Sequence, residues 1–248
     1  MTSWSSLHEG TPGGPSVLAV DFEPGRHDAG FPDMVPHLPG DLTVLATEAP
    51  RRSAVDDALT EWLAGADAGD GRVAAVLGFC AGATVAAWLA YEIGSVAPAP
   101  ALVLLDPSRA DAALLRAEFG KAASGLLRAA GEPAVEPDAD EADLPALADH
   151  LSAEYAGIVR RVAPILEVDD DLADDLAERF ADYLRYLAVA GGTAWPPLTD
   201  EERTLTLVSA HFDGDTPMPG RRVRMDVERA DFLADRGVAL AVTASIGR

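Results

Sequence analysis

A chain of 248 residues with 41 acidic against 19 basic side chains and a net charge of −22 has length enough for a large core. Its charge argues against a nucleic-acid partner, because phosphate binding needs clustered Lys and Arg to release counterions. A single cysteine excludes an internal disulfide, no apolar stretch reaches the roughly 20 residues of a membrane span, and MTSWSSLHEG lacks the basic and apolar regions of a signal peptide, so a soluble cytoplasmic protein is expected. The charge is uneven. Asp138 to Asp143 and Val168 to Glu178 are dense in carboxylates, whereas Arg51-Arg52, Arg160-Arg161 and Arg221-Arg222 with Arg224 are basic islands. The default reading is solvated faces, and the alternative is that an arginine island docks an acidic partner or a phosphate-bearing arm.

In chain order, residues 1–15 are rich in Ser, Gly and Pro and read as a loose leader. SVLAVDF, Ser16 to Phe22, is the first strand, followed by the Gly/Pro turn EPGRHDAGF from Glu23 to Phe31. Leu42 to Ala46 is a second strand, and Ala54 to Ala64 an amphipathic helix with Val55, Leu59, Trp62 and Leu63 on one face. Val73 to Leu77 is an apolar run of the kind buried on both faces of a parallel sheet. Gly78-Phe79-Cys80-Ala81-Gly82 then fits G-x-[S/C]-x-G, and Ala83 to Ile93 carries helical spacing.

A strand, a glycine-flanked turn and a helix make a nucleophile elbow. Its central residue is strained, its flanking glycines make room for the neighbouring strand and helix, and a helix N-terminus favours a thiolate. The plainer alternative is a core cysteine acting as a small hydrophobe. In such an elbow one oxyanion donor is the N–H after the nucleophile, here Ala81, and the other comes from the turn after the first strand, which puts Asp28, Ala29 and Gly30 near the site.

Ala101 to Leu105 is the next buried strand and ends in Asp106-Pro107. Alternating strands and helices predict an α/β fold with a mostly parallel central sheet covered by helices on both faces, and functional groups at the strand C-terminal ends. From Ser108 to Pro197 no strand is apparent, and helices are predicted at Ala110 to Ala130, Leu144 to Val162 and Leu172 to Ala190. An insertion of that length reads as a helical lid, with Phe119, Tyr155, Phe180, Tyr183 and Tyr186 as helix core or channel lining. Arg203 to Ala210 resumes the sheet ahead of HFDGDTP, Arg222 to Val227 is a last strand, and Asp235 to Ile246 a closing helix. One domain, 1–248, with the insertion at 108–197, is the expectation.

VLGFCAGATVAAWLAYEI and ALVLLDPSRAD, in this order of parts from Ser16 onward, resemble the thioesterases of nonribosomal peptide and polyketide biosynthesis, in the α/β-hydrolase superfamily. The resemblance implies an α/β-hydrolase fold and a nucleophile at Cys80, in the cysteine form of an elbow that more often holds serine. It implies an acid at Asp106, with Asp213 or Asp215 as the alternative after the next strand. The family's C-terminal Gly-x-His-Phe is absent. Asp231 stands where the histidine belongs, ahead of Phe232. Of the five histidines, His8, His37 and His150 read as surface residues, His27 falls in the oxyanion turn, and His211, after a sheet strand, is the best substitute base.

The resemblance also implies an acyl or peptidyl carrier protein as partner, with the substrate on its phosphopantetheine. No metal-ligand spacing, Walker loop or dinucleotide fingerprint indicates a cofactor. A cysteine that attacks a thioester makes another thioester of nearly equal energy, so the leading expectation is acyl or aminoacyl transfer through Cys80. Two alternatives stand beside it: an editing thioesterase that hydrolyses carrier-bound acyl groups, and a noncatalytic thioesterase-like binding or scaffold protein.

Overall fold

Short apolar runs separated by helices give the chain its frame. The computed structural model describes residues 3–22, 29–66, 73–135, 143–197, 201–214 and 220–246. Its strands are β1 (Trp4–His8), β2 (Ser16–Val20), β3 (Thr43–Thr47), β4 (Val73–Phe79), β5 (Ala101–Leu105), β6 (Thr204–Val208) and β7 (Arg221–Arg224). The helices are α1 (Phe31–Met34), α2 (Val55–Ala66), α3 (Gly82–Val96), α4 (Ala112–Ala129), α5 (Leu144–Val162), α6 (Asp170–Gly192) and α7 (Arg236–Ile246), with 3-10 turns at Val35–His37 and Arg229–Ala234. The chain divides into two compact units, one of Met1–Glu48, Asp56–Arg109 and Thr193–Arg248, the other of Ala49–Val55 and Ala110–Gly192.

The first unit holds a seven-stranded sheet in the order β1-β3-β2-β4-β5-β6-β7. Only β1 runs antiparallel; every other pairing is parallel. ALVLL of β5 and TLTLV of β6 are buried at every position, as expected of strands covered on both faces. Phe79 pairs with Leu105, and Leu105 with Leu207, so β4, β5 and β6 end level with one another. The residues that follow them, Cys80, Asp106 and Ser209, are therefore delivered to one edge. β2 has its successor β3 on one side and β4 on the other, and crevices at strand C-terminal ends open beside such a reversal.

The leader is not loose. β1 pairs antiparallel with β3, Trp4 opposite Thr47, with a register shift between Ser6 and His8, and the buried Trp4 donates its indole N–H to the Trp62 carbonyl at 2.9 Å. The Ser3 hydroxyl donates to the Glu61 carbonyl at 3.0 Å. WSSLH has no apolar run because this edge strand buries only Trp4 fully, packs Leu7 partly against the core and is otherwise held by the backbone ladder and these two bonds.

The second unit contains α4, α5 and α6, whose main segment lies inside the predicted insertion. On α5 the buried Leu147, Leu151, Tyr155, Ile158 and Val162 repeat at helical spacing along one stripe. Tyr155 stacks on Phe180 at 4.1 Å between ring centroids, and burial pushes its hydroxyl pKa above the ordinary 10.0. Part of the acidic surplus has a local task. Asp111, Asp143 and Asp169 accept the N–H groups of Leu114, Ala146 and Leu172 at 2.8, 3.1 and 2.8 Å, capping the three helices, each such cap contributing about 1 kcal/mol. Among the described residues no helix is long and apolar enough to cross a membrane.

Candidate active site

The turn between β4 and α3 is built around a steric exclusion. A Cβ at Gly78 would lie 2.6 Å from the Ala86 Cβ and 2.8 Å from the Ala83 Cα, so any side chain there collides with the first turns of α3. Glycine at 78 and alanine at 83 and 86 let the helix lie directly on the strand. The chain then turns through Cys80 with φ 52°, in the left-handed region that costs a non-glycine residue about 1–3 kcal/mol. Three backbone hydrogen bonds hold it there: Cys80 N–H to the Leu105 carbonyl at 3.0 Å, Ala83 N–H to the Cys80 carbonyl at 3.2 Å, and Ser108 N–H to the same carbonyl at 3.1 Å. The thiol is half-buried, and its Sγ lies 3.0 Å from the Ser108 Oγ.

Asp106 sits across the sheet edge from Cys80 and is also left-handed, with φ 42°. Its side chain is 0 % exposed. A buried carboxylate is costly unless its oxygens are hydrogen-bonded, and here each is. Oδ1 accepts the Ser209 N–H at 2.7 Å, and Oδ2 accepts the Ser209 hydroxyl at 2.7 Å and an Arg229 Nη1–H at 3.3 Å. The Asp106 N–H donates to the Leu207 carbonyl at 3.0 Å. Arg229 in turn lies over the Phe79 ring at 5.0 Å from its centroid, an attractive cation–π arrangement. The 3-10 turn that carries Arg229 is anchored by Phe232 and Leu233, both fully buried in the core of the sheet unit.

The remaining predicted residues divide. Ala81 is buried at the N-cap of α3, directly after Cys80. The N–H groups of Ala29 and Gly30 each have an acceptor within the chain. Ala29 donates to the Ala230 carbonyl at 2.8 Å, tying the loop to the Arg229–Ala234 turn, and Gly30 donates to Asp33 Oδ2 at 2.9 Å while its own carbonyl accepts the Asp33 N–H at 3.1 Å at the start of α1. Asp28 and His27 lie outside the described residues, as does Asp215, while Asp213 is exposed.

His211 Nε2 is 3.2 Å from Glu228 Oε1, and the two side chains are 83 % and 66 % exposed. Its described partner is that surface carboxylate. Asp231 is exposed and its N–H donates to the Glu228 carbonyl at 3.1 Å. Two residues earlier on the same turn, Arg229 reaches Asp106 instead. His8 bonds the Gly40 carbonyl from the sheet edge, His37 closes a 3-10 turn, and His150 belongs to α5 of the other unit. The described partners of Cys80 and Asp106 thus include no imidazole. Among the described residues no group of three or more His, Cys, Asp or Glu is arranged to hold a metal ion.

Sequence reasoning missed Ser108, Ser209 and Arg229. Ser108 had a signal, since Asp106-Pro107-Ser108 turns the chain at the end of a strand level with the elbow. Ser209 and Arg229 had none, because only strand order brings them to Asp106. Two arginines of the basic island, Arg222 and Arg224, also turn out to be engaged. Arg224 donates to the carbonyls of Ser209, Ala210 and Phe212, and Arg222 to that of Gly214, so these side chains hold the segment after β6. Arg161 pairs with Glu132 at 3.0 Å.

No family model matches the chain, and no curated protein matches it in sequence. Solved structures do match over nearly the whole length. The Vlm2 thioesterase domain, bound with a dodecadepsipeptide, is 16% identical at a TM-score of 0.54, covering 98% of this chain and 97% of that one. The NocB thioesterase domain, in covalent complex with a fluorophosphonate nocardicin G analog, is 17% identical at 0.54, covering 99% and 100%. RedJ, the thioesterase from the prodiginine biosynthetic pathway in Streptomyces coelicolor, is 15% identical at 0.52, covering 94% and 86%. With the mostly parallel seven-stranded sheet and the strand–turn–helix elbow, this likeness makes the fold an α/β-hydrolase fold.

Proposed function

We propose that the chain is a thioesterase-like acyltransferase of natural-product biosynthesis that receives an acyl or aminoacyl group from the phosphopantetheine thiol of a carrier protein on Cys80 and passes it to a second thiol or other acceptor. The observation that carries this reading is a half-buried cysteine in left-handed backbone at a strand–helix elbow, with no imidazole among its described partners. The fold shared with thioesterases of such pathways supports it.

The chemistry follows from sulfur. Cys80 Sγ forms a bond to the acyl carbon, the bond from that carbon to the carrier sulfur breaks, and the thiol proton passes to the departing sulfur. One thioester replaces another, so the acyl group stays activated. The Ala81 N–H stabilises the oxyanion in the tetrahedral intermediate. Activating water would need a positioned base, and the carboxylate of Asp106 is occupied by Ser209 and Arg229. Hydrolysis, with His211 or Asp231 moving the proton, is accordingly the slower outcome in this reading.

Intact-protein mass spectrometry after incubation with an acyl-loaded carrier protein tests the proposal. The wild type gains the mass of the acyl group, and Cys80→Ala gains none. Rapid release of free acid with no adduct would point to an editing hydrolase. A second reading, a binding protein that has kept the fold, is favoured by one observation, the closure of Asp106 by a guanidinium. Absence of both adduct and free acid would select it.

A further inference from the structure

The geometry points to Ser108 as a catalytic residue of that exchange, its hydroxyl relaying the Cys80 proton to the departing thiol, with Asp106, Ser209 and Arg229 as the positioning residues that hold it in place. This rests on the thioester reading above. Ser108 addresses Cys80 twice, with its N–H on the Cys80 carbonyl at 3.1 Å and its Oγ 3.0 Å from the Sγ. Both side chains are half-buried, so a thioester carbonyl that reaches the sulfur also reaches the hydroxyl. Leu105, three residues earlier, takes the Cys80 N–H. The segment Leu105 to Ser108 therefore grips the nucleophile on both sides.

What fixes that segment is Asp106. Pro107 restricts its own φ and the conformation of the residue before it, and Asp106 is left-handed at φ 42°. Two strained residues face each other across β4 and β5, and the strain persists only where the surroundings over-determine it. The buried carboxylate, held by two donors from Ser209 and one from Arg229, supplies that determination. Its donors come from the end of β6 and from the Arg229–Ala234 turn, so two separate segments fix Asp106, two residues before Ser108.

A hydroxyl suits thiol exchange. It donates and accepts at once, so as the Cys80 Sγ–C bond forms, the Sγ–H proton moves to Ser108 Oγ while the Ser108 proton moves to the leaving sulfur. The carbon–sulfur bond to the carrier breaks, Ser108 ends as it began, and no net charge develops on it. The same hydroxyl is a poor base toward water, so the arrangement favours exchange over hydrolysis.

The experiment is the rate of Cys80 acylation by an acyl-loaded carrier protein as a function of pH, in wild type and Ser108→Ala, with iodoacetamide alkylation of Cys80 in parallel. Among the described residues the charged groups at this edge include Asp21 after β2, Asp33 on α1, Asp106, Arg109, His211, Arg224 at the end of β7, Glu228, Arg229 and Asp231. The series is repeated in a His211→Gln background so that imidazole ionisation is not counted as the thiol's. At neutral pH the Ser108→Ala rate falls by about 100-fold, the lower range of general acid–base contributions. It converges on the wild-type rate at alkaline pH, where the thiolate no longer has a proton to relay, and the alkaline alkylation rate stays at the wild-type level. Equal acylation rates at every pH would overturn the relay alone. A uniform loss at every pH, together with slower alkaline alkylation, would overturn it in favour of a structural role. No adduct on the wild type would overturn the thioester reading and the relay with it.

Discussion

Asp106 and His211 leave the same edge of the sheet, after β5 and β6, and end in opposite surroundings. Asp106 is sealed from solvent with three donors on its carboxylate, whereas His211 stands 83 % exposed beside a carboxylate that is itself mostly in water. A place at a strand C-terminal end is thus a weak guide to role. Depth and the number of committed partners separate the two residues, and they do so before any chemistry is considered. Desolvation makes each partner of Asp106 matter, while solvent screens the pair at His211.

Four substitutions sharpen or break this contrast. Asp106→Ala removes the acceptor of the buried Ser209 N–H, the Ser209 hydroxyl and one Arg229 Nη1–H, and is expected to lower unfolding free energy by about 3–5 kcal/mol, read from the urea midpoint at constant slope. A loss no larger than that of the His211 variant would dissolve the contrast. Arg229→Ala removes one donor from the carboxylate but leaves both from Ser209, and its side chain is partly exposed. Its expected cost is about 1–2 kcal/mol, and combining it with Ser209→Ala in a double-mutant cycle should give a loss that departs from the sum of the singles. His211→Ala closes the series with a change within about 0.5 kcal/mol, measured as a shift of the thermal midpoint. A larger shift would mean that the exposed pair is more than a surface contact.

Much of the frame is legible in residues close together in sequence. VAAVL, ALVLL and the elbow glycine at 78 announce two parallel strands and a sharp turn, because short-range sterics and hydrophobic runs dictate them. α5 occupies Leu144–Val162, the bounds that its helical pattern predicts. β1 was illegible because an edge strand needs little apolar sequence. The engagement of Ala29 and Gly30 was illegible because a backbone N–H carries no mark of its acceptor. The basic island at Arg221 to Arg224 read as a surface feature for the same reason: the carbonyls after β6 that Arg222 and Arg224 hold have no signature of their own.

By itself the sequence determined the apolar parallel strands, their alternation with helices and the cysteine at the elbow, all of which rest on contacts between near neighbours. The tertiary structure decided what surrounds that cysteine. Ser108 comes from 28 residues away, and the donors that fix its turn, Ser209 and Arg229, lie 103 and 123 residues from Asp106. Such meetings depend on strand order and register, which bring β4, β5 and β6 to a common level, and no local pattern encodes them.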